Sequence, residues 1–147
     1  MPVPSILYLD TSALIKLYID EPGSEQVRDA VEKSKIVSTS RIAYVEARAG
    51  IARKFRTREL SRGEYKLMVE SLEEDWPEYF VVEVSEAIVK LGGELVEKYP
   101  LRGFDAVHLA SALMLKERLR SAIAFGCFDK SLNAAAKEEG LTLVVNG

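Results

Sequence analysis

The sequence predicts an α/β fold in three layers, with a mostly parallel five-stranded sheet and helices on both faces. Short β-branched, apolar runs alternate along the chain with segments whose apolar residues recur at helical spacing. This alternation implies right-handed crossovers, which make the strands parallel and pack the connecting helices against the sheet. Ligands bind such sheets beyond the carboxyl ends of the strands, where the strand order reverses. We therefore expect functional side chains directly after strands.

Five segments have the length and composition of strands. Each is short, rich in β-branched or aromatic residues, and bounded by polar residues or glycine. In chain order they are Ser5–Asp10, Lys35–Thr39, Tyr79–Val84, Ala122–Gly126 and Leu141–Val145.

Three of the connecting segments carry apolar residues at helical spacing and are predicted to be helices. These residues are Ala13, Leu14, Leu17 and Tyr18 in the first segment, Ile42, Val45, Ala49 and Ala52 in the second, and Val107, Ala110, Leu113 and Met114 in the third. Local signals also mark helix ends. Ser61 and Glu64 have the spacing of a capping box, Pro77 is expected to end a helix after Trp76, and Gly140 stands where a C-terminal cap belongs.

Length and composition fit one domain over residues 1–147, since 48% hydrophobic residues suffice for a core without disulfides. No apolar run approaches the roughly 20 residues needed to cross a bilayer, so we expect no membrane span. Met1–Ser5 has no basic residue, and Asp10 interrupts the next apolar stretch, so we expect no signal peptide and a cytoplasmic location. A single cysteine, Cys127, agrees with a reducing compartment.

The net charge of −3 argues mildly against a nucleic-acid partner. The basic residues are nevertheless concentrated, because seven of the 20 lie between Arg41 and Arg62, a stretch that we call the basic segment. They are Arg41, Arg48, Arg53, Lys54, Arg56, Arg58 and Arg62, opposed only by Glu46 and Glu59. The basic segment is either a solvated helix face with a charged loop or a surface for a phosphate backbone.

Two aspartates follow predicted strands. Asp10 ends the first strand, and Asp129 lies just after the fourth, at the start of a predicted helix over Lys130–Glu139. Both carboxylates should therefore lie at the carboxyl edge of the sheet. Each has a simpler interpretation as a helix cap, which typically contributes about 1 kcal/mol to the stability of the folded protein.

Two further acids stand inside apolar or small-residue helical segments, Glu46 and Asp105. Carboxylates that converge repel one another by about 4 kcal/mol per pair at ~4 Å with an effective dielectric constant near 20, unless cations compensate. Ligation by several carboxylates suits Mg²⁺ or Mn²⁺, whereas zinc prefers histidine or cysteine. Asp10, Glu46, Asp105 and Asp129, called here the four acids, thus predict a divalent-metal site.

Four stretches together resemble the successive motifs of PIN domains. They are Asp10–Tyr18, Glu46 with the preceding Ser38–Ser40, Gly103–Ala112 and Phe128–Leu132, and they occur in the family's order. The resemblance covers almost the whole chain. It is greatest to the toxin ribonucleases of prokaryotic VapBC toxin–antitoxin pairs, which are similar in length and in motif placement.

This resemblance implies a Rossmann-like sheet in the order 3-2-1-4-5, an endoribonuclease that depends on Mg²⁺ or Mn²⁺, homodimers, and an antitoxin that occupies the active-site groove. It implies that the four acids are catalytic and metal-binding, with Asp10, Glu46 and Asp105 as core ligands and Asp129 contributing directly or through water. Ser12 is expected to hydrogen-bond within the site. An RNA substrate favours the second interpretation of the basic segment, with Arg41, Arg48, Arg53, Lys54 and Arg56 binding phosphates.

One departure concerns Cys127, which stands where family members often have Thr or Ser. A thiol is a poorer hydrogen-bond donor than a hydroxyl, so Asp129 should contribute less to catalysis. Cys127 itself is expected to be a small buried group. His108 is expected to be a structural histidine bonded to backbone or to a carboxylate, and Trp76, Tyr79 and Phe80 are expected to serve packing.

Three alternatives stay open at this point. Phosphoryl hydrolases that form an aspartyl-phosphate also have an aspartate after the first strand. Their motif is Asp-x-Asp, however, and the second position of that motif is Ser12 here. A PIN-like module that binds RNA or protein without cutting would not need all four acids. An RNA-processing nuclease would share the chemistry but lack an antitoxin gene beside its own.

Overall fold

The computed structural model describes residues 4–146. The expected absence of a signal peptide concerns a segment that begins at Met1, outside the described residues. Within 4–146, five strands form one parallel sheet in the order β3-β2-β1-β4-β5. They are β1 (Ile6–Leu9), β2 (Ile36–Ser40), β3 (Phe80–Val82), β4 (Ile123–Gly126) and β5 (Thr142–Leu143). Each agrees with a predicted strand to within a few residues, and the expected class and strand order are confirmed.

Seven helices cover the two faces of the sheet in this described part of the chain. They are α1 (Thr11–Leu14), α2 (Ser24–Glu32), α3 (Ile42–Arg56), α4 (Arg62–Asp75), α5 (Glu86–Lys98), α6 (Gly103–Leu119) and α7 (Lys130–Glu138). Strand residues point alternately to opposite faces. Leu7 and Leu9 of β1 pack in the layer of α1 to α4, whereas Ile6 and Tyr8 pack in the layer of α5 to α7. None of these helices is both long and apolar enough to traverse a bilayer.

Helix α3 buries a different face from the one that its most apolar residues indicate. Ala43, Ala47 and Ile51 are buried, whereas Val45 is 60% exposed and Ala49 is also exposed. Residues 43, 47 and 51 form a second stripe at helical spacing, in which the small side chains of Ala43 and Ala47 favour close packing. This orientation leaves Glu46 half-buried at the border of the packed face.

The local signals for helix ends are confirmed with one correction. The Ser61 side chain accepts from the Glu64 N–H, and the Glu64 side chain accepts from the Ser61 N–H, which completes the capping box. Gly140 follows α7 with a φ of +90°, a conformation that favours glycine. The expected helix end after Trp76 is wrong by one residue, because α4 ends at Asp75 and Pro77 lies inside a 3-10 turn over Trp76–Glu78. Proline suits such a first turn, since it needs no N–H donor there.

Candidate active site

Asp10 is the first residue after β1, at the point where the strand order reverses, and it is only 4% exposed. Its Oδ1 accepts hydrogen bonds from the Ser12 hydroxyl at 2.7 Å and from the Ala13 N–H at 3.0 Å, and thereby caps α1. Its own N–H donates to the carbonyl oxygen of Gly126 on β4 at 3.1 Å. Among residues 4–146, no N–H or O–H group donates to Oδ2.

Glu46 lies in the second turn of α3, with 26% of its side chain exposed. Its Oε1 accepts a hydrogen bond from the Thr11 hydroxyl at 2.5 Å and faces Nε2 of His108 at 3.1 Å. Thr11 directly follows Asp10, so the start of α1 links these two acids, which we call the inner pair. Oε2 of Glu46 receives no hydrogen bond from the described residues.

His108 is 2% exposed on α6, and its Nδ1 lies 2.8 Å from the hydroxyl of Tyr8, a fully buried residue of β1. The imidazole ring therefore connects the interior of the sheet to Glu46. The expectation of a histidine bonded to a carboxylate is confirmed. Its spacing of one helical turn after Asp105 was the available signal, but only the fold shows that the carboxylate is that of Glu46.

Asp105 and Asp129 form a second set, which we call the outer pair. Asp105 lies in the first turn of α6, and Asp129 caps α7 by accepting the Leu132 N–H at 2.8 Å. Arg102 joins them, with Nε 3.3 Å from Oδ2 of Asp105 and Nη2 4.0 Å from Oδ2 of Asp129. The Arg102 side chain is 84% exposed. Our sequence analysis did not single out this arginine, although its spacing of three residues before Asp105 was a signal.

Two contacts connect the end of β1 to the end of β4. The Ser12 hydroxyl, besides donating to Asp10, accepts the Phe128 N–H at 3.2 Å. The sulfur of Cys127 accepts the Asp129 N–H at 3.2 Å. Cys127 is fully buried, and this burial raises the pKa of its thiol well above the usual range. Cys127 is therefore a small buried group, as expected, and stays protonated.

The two acids of the inner pair differ in their proton affinity. Burial raises the pKa of Asp10 above its ordinary value, and attraction to His108 with hydrogen bonds from Ser12 and Ala13 offsets this only in part. Burial also acts to raise the pKa of Glu46, but hydrogen bonds from His108 and Thr11 outweigh it, so that pKa is lowered. Glu46 is thus a stable anion in the folded protein, whereas the charge on Asp10 is costly.

The four acids share one edge of the sheet but form two separately held pairs. Within residues 4–146, no three His, Cys, Asp or Glu side chains are grouped so that they could hold a metal ion together. What the structure brings together is the inner pair through Thr11 and the outer pair through Arg102. Metal ligation by all four acids stays a prediction.

The basic segment is divided between different neighbours. Arg41 pairs with Glu83, Arg48 with Glu73 at 3.4 Å, and Lys54 with Glu21 at 3.8 Å and Glu59 at 3.6 Å. Arg53 and Arg56 are exposed and have no ion pair with any residue of 4–146. Arg53 follows Glu46 by seven residues, so it lies on nearly the same helix face, about 10 Å along the axis.

The sequence of this chain also matches known proteins. A PIN domain family model matches residues 7–138, nearly the whole chain. The chain belongs to the PIN-domain family. Ribonuclease VapC49 of Mycobacterium tuberculosis is 31% identical over 139 residues, which cover 92% of each chain. Within the PIN-domain family, this protein therefore belongs with the VapC-type ribonucleases, and the predicted VapC-type toxin assignment is confirmed.

Solved structures share the fold at much lower sequence identity. FitAcB from Neisseria gonorrhoeae has a TM-score of 0.67 and 16% identity, with 93% of this chain and 95% of that chain covered. VapBC-5 from Mycobacterium tuberculosis, described as a member of the VapBC family of toxin–antitoxin systems, has a TM-score of 0.60 and 14% identity, with 95% and 96% covered. At these identities the likeness concerns the fold alone, and it agrees with the observed sheet.

Proposed function

We propose that this PIN-domain protein hydrolyses RNA phosphodiester bonds with Mg²⁺ or Mn²⁺ held by the four acids. One observation carries the proposal. In Asp10, Glu46 and Asp129, hydrogen bonds from the chain fix one carboxylate oxygen, and the other oxygen receives no N–H or O–H hydrogen bond from residues 4–146. A helix cap also needs only one oxygen, so ligation is favoured by the position of these three carboxylates at one edge of the sheet, where ligands bind parallel α/β folds.

The donor set fits a hard divalent cation. All four side chains offer carboxylate oxygens, the preferred ligands of Mg²⁺ and Mn²⁺. Burial of the Asp10 charge is costly, as its raised pKa shows, and a cation would offset that cost. A bound divalent ion would lower the pKa of a water molecule and stabilise the charge that develops on the phosphate.

The remaining work falls to the chain's own side chains. Ser12, Thr11 and His108 fix the orientation of the inner pair, so that little reorganisation is needed during the reaction. Arg102 lies beside the outer pair, where its guanidinium group can contact a phosphate of the substrate. Of the five basic residues predicted to bind substrate, Arg53 and Arg56 are the best placed, since acids already engage Arg41, Arg48 and Lys54.

We further propose that the protein is a homodimer controlled by an antitoxin. Solved relatives of this fold include a toxin–antitoxin complex from Klebsiella pneumoniae, with a TM-score of 0.57. An antitoxin that covers the active-site groove would explain how a cell tolerates the nuclease. A small antitoxin gene beside this one is the expected genomic sign of that partner.

The test uses the full chain, purified free of any antitoxin. We expect it to cleave single-stranded or loop RNA with Mg²⁺ or Mn²⁺ and not with EDTA. Asp10→Asn, Glu46→Gln and Asp105→Asn should each nearly abolish cleavage while circular dichroism shows an intact fold. Double mutants should be no worse than singles, because the ligands act as a unit. A folded, metal-loaded preparation that cuts none of a varied RNA panel would favour the binding-module alternative.

A further inference from the structure

We infer that His108 is a positioning residue that holds the Glu46 carboxylate for metal binding, and that Tyr8 fixes the ring of His108. The inference rests on the proposed function, since it assigns a role toward the proposed metal. It is carried by an unbroken chain of contacts through Tyr8, His108 and Glu46, at 2.8 Å and 3.1 Å.

The direction of the His108–Glu46 hydrogen bond follows from simple chemistry. A carboxylate has no hydrogen to donate, so the contact needs a hydrogen on Nε2. In the neutral ring, Tyr8 supplies the hydrogen to Nδ1 and leaves Nε2 protonated. In the imidazolium ion both nitrogens carry hydrogen. His108 therefore donates to Glu46 in either case, through an Nε2 hydrogen that also faces the Thr11 hydroxyl oxygen at 3.1 Å.

The hydrogen bond joins two layers that the sheet otherwise separates. Glu46 belongs to α3, in the layer of α1 to α4, whereas His108 belongs to α6, in the layer of α5 to α7. Beyond the strand ends, His108 reaches across to Oε1, the same oxygen that accepts from Thr11. Two donors on Oε1 restrict the rotation of a flexible side chain and turn Oε2 toward other partners.

The spacing on α6 gives this contact a consequence for the whole site. Asp105 and His108 are three residues apart, one helical turn, so α6 supplies one acid directly and positions a second acid from α3. The distance between Glu46 and Asp105 is thereby tied to a rigid helix. Tyr8 is itself fixed, since it is fully buried and its ring stacks on Phe125 of β4 at 5.8 Å.

A purely structural histidine would contribute to stability and leave metal affinity unchanged. The test therefore measures Mn²⁺ binding to the full chain without RNA, by electron paramagnetic resonance or calorimetry. Groups that hydrogen-bond to metal ligands typically change metal affinity by about 10- to 100-fold when removed. We expect His108→Leu to weaken Mn²⁺ binding by that factor and His108→Gln, whose amide retains a donor, to restore most of it. Tyr8→Phe should weaken it by a smaller factor.

Leu115→Ala is the matched control, because it creates a cavity on the same helix without a contact to Glu46. It should lower Tm and leave Mn²⁺ affinity unchanged. The double variant His108→Leu/Glu46→Gln should bind Mn²⁺ no more weakly than Glu46→Gln alone, since His108 acts through Glu46.

The outcomes separate this inference from the proposed function. If Glu46→Gln leaves Mn²⁺ affinity unchanged, the proposed metal site is wrong and the role of His108 falls with it. If Glu46→Gln weakens Mn²⁺ binding but His108→Leu does not, only the positioning role is overturned. The same holds if each variant loses Mn²⁺ affinity in proportion to its loss of Tm, with Leu115→Ala included. Should His108→Leu not fold, Tyr8→Phe decides, and an unchanged Mn²⁺ affinity would overturn the inference.

Discussion

The inner and outer pairs of acids use opposite means to hold negative charge at one edge of the sheet. Asp10 and Glu46 are fixed by hydrogen bonds from neighbouring side chains and backbone, and Asp10 is 4% exposed. The side chains of Asp105 and Asp129 are 18% and 37% exposed, and they share one exposed arginine. Glu46, with 26% of its side chain exposed, is no more buried than Asp105, so the two pairs differ mainly in what holds them. Hydrogen-bond donors fix the inner pair, whereas one solvent-screened arginine lies beside the outer pair.

This difference suggests a division of labour. The inner pair is held by a network that varies little in geometry, which suits direct metal ligation. The outer pair lies beside the guanidinium group of Arg102, which can turn toward a substrate phosphate. Four sets of variants test this difference.

The largest expected difference is in cleavage rate. Asp10→Asn should lower the single-turnover rate by about two to three orders of magnitude or more, the range for loss of one preorganised group at a site. Asp129→Asn should be milder, because asparagine still caps α7 and because the Cys127 sulfur, a weak acceptor for the Asp129 N–H, holds this acid less firmly than a hydroxyl would. Equal losses in both variants would remove the distinction between the pairs.

The second difference is in stability without metal. The raised pKa of Asp10 means that its ionised form destabilises the native state. This destabilisation is absent at low pH, where Asp10 is protonated, and it begins as the pH rises above about 4. The lowered pKa of Glu46 means the reverse, a stabilisation present at neutral pH and lost as pH falls below about 4. In EDTA at pH 7, Asp10→Asn should therefore raise Tm and Glu46→Gln should lower it, each by about a few degrees.

Added metal should alter these values in a defined way. Millimolar Mn²⁺ should raise the Tm of the unmodified chain by binding the native state. It should raise that of Asp10→Asn much less. Shifts of the same sign in both variants in EDTA, or no response of the unmodified chain to Mn²⁺, would contradict the proposed electrostatics.

The third test concerns Arg102. Arg102→Ala should weaken RNA binding and reduce the log–log salt slope by up to about 0.7, the value for one lost phosphate contact on a single strand. Tm should hardly change, since exposed ion pairs contribute little to stability. Arg118→Ala, an exposed arginine near the other end of α6, is the control and should leave the salt slope unchanged. If the salt slopes of RNA binding were identical for the two variants, Arg102 would have no specific contact with RNA.

The smallest difference lies within the basic segment. Replacing Arg53, Lys54 and Arg56 together with Ala should weaken RNA binding and flatten its salt dependence. Of the single variants, Arg53→Ala should weaken RNA binding more than Lys54→Ala. Arg53 shares a helix face with Glu46, whereas Glu21 and Glu59 already neutralise Lys54. Fluorescence anisotropy with a labelled RNA at several salt concentrations measures both. A larger effect of Lys54→Ala would show that its ion pairs give way to RNA.

The amino-acid sequence was sufficient to predict the layered fold, the strands, and the location of Asp10 and Asp129 at the carboxyl edge of the sheet. These features follow from local rules, because periodicity specifies elements and a residue directly after a parallel strand must lie at the carboxyl edge of the sheet. The capping box at Ser61 and the left-handed glycine at Gly140 are equally local, and both are present. The strand order came from family resemblance and not from local pattern.

The residues that hold the acids in place could not be read from the sequence and follow from the packing of the elements. Helix α3 offers two apolar stripes, and packing against the sheet selected the one through Ala43 and Ala47, which sets the position of Glu46. The contact between Glu46 and His108 joins residues 62 positions apart on opposite layers, so no local pattern encodes it. Sequence spacing constrains neighbours along one element, whereas contacts between layers depend on how all the elements pack together.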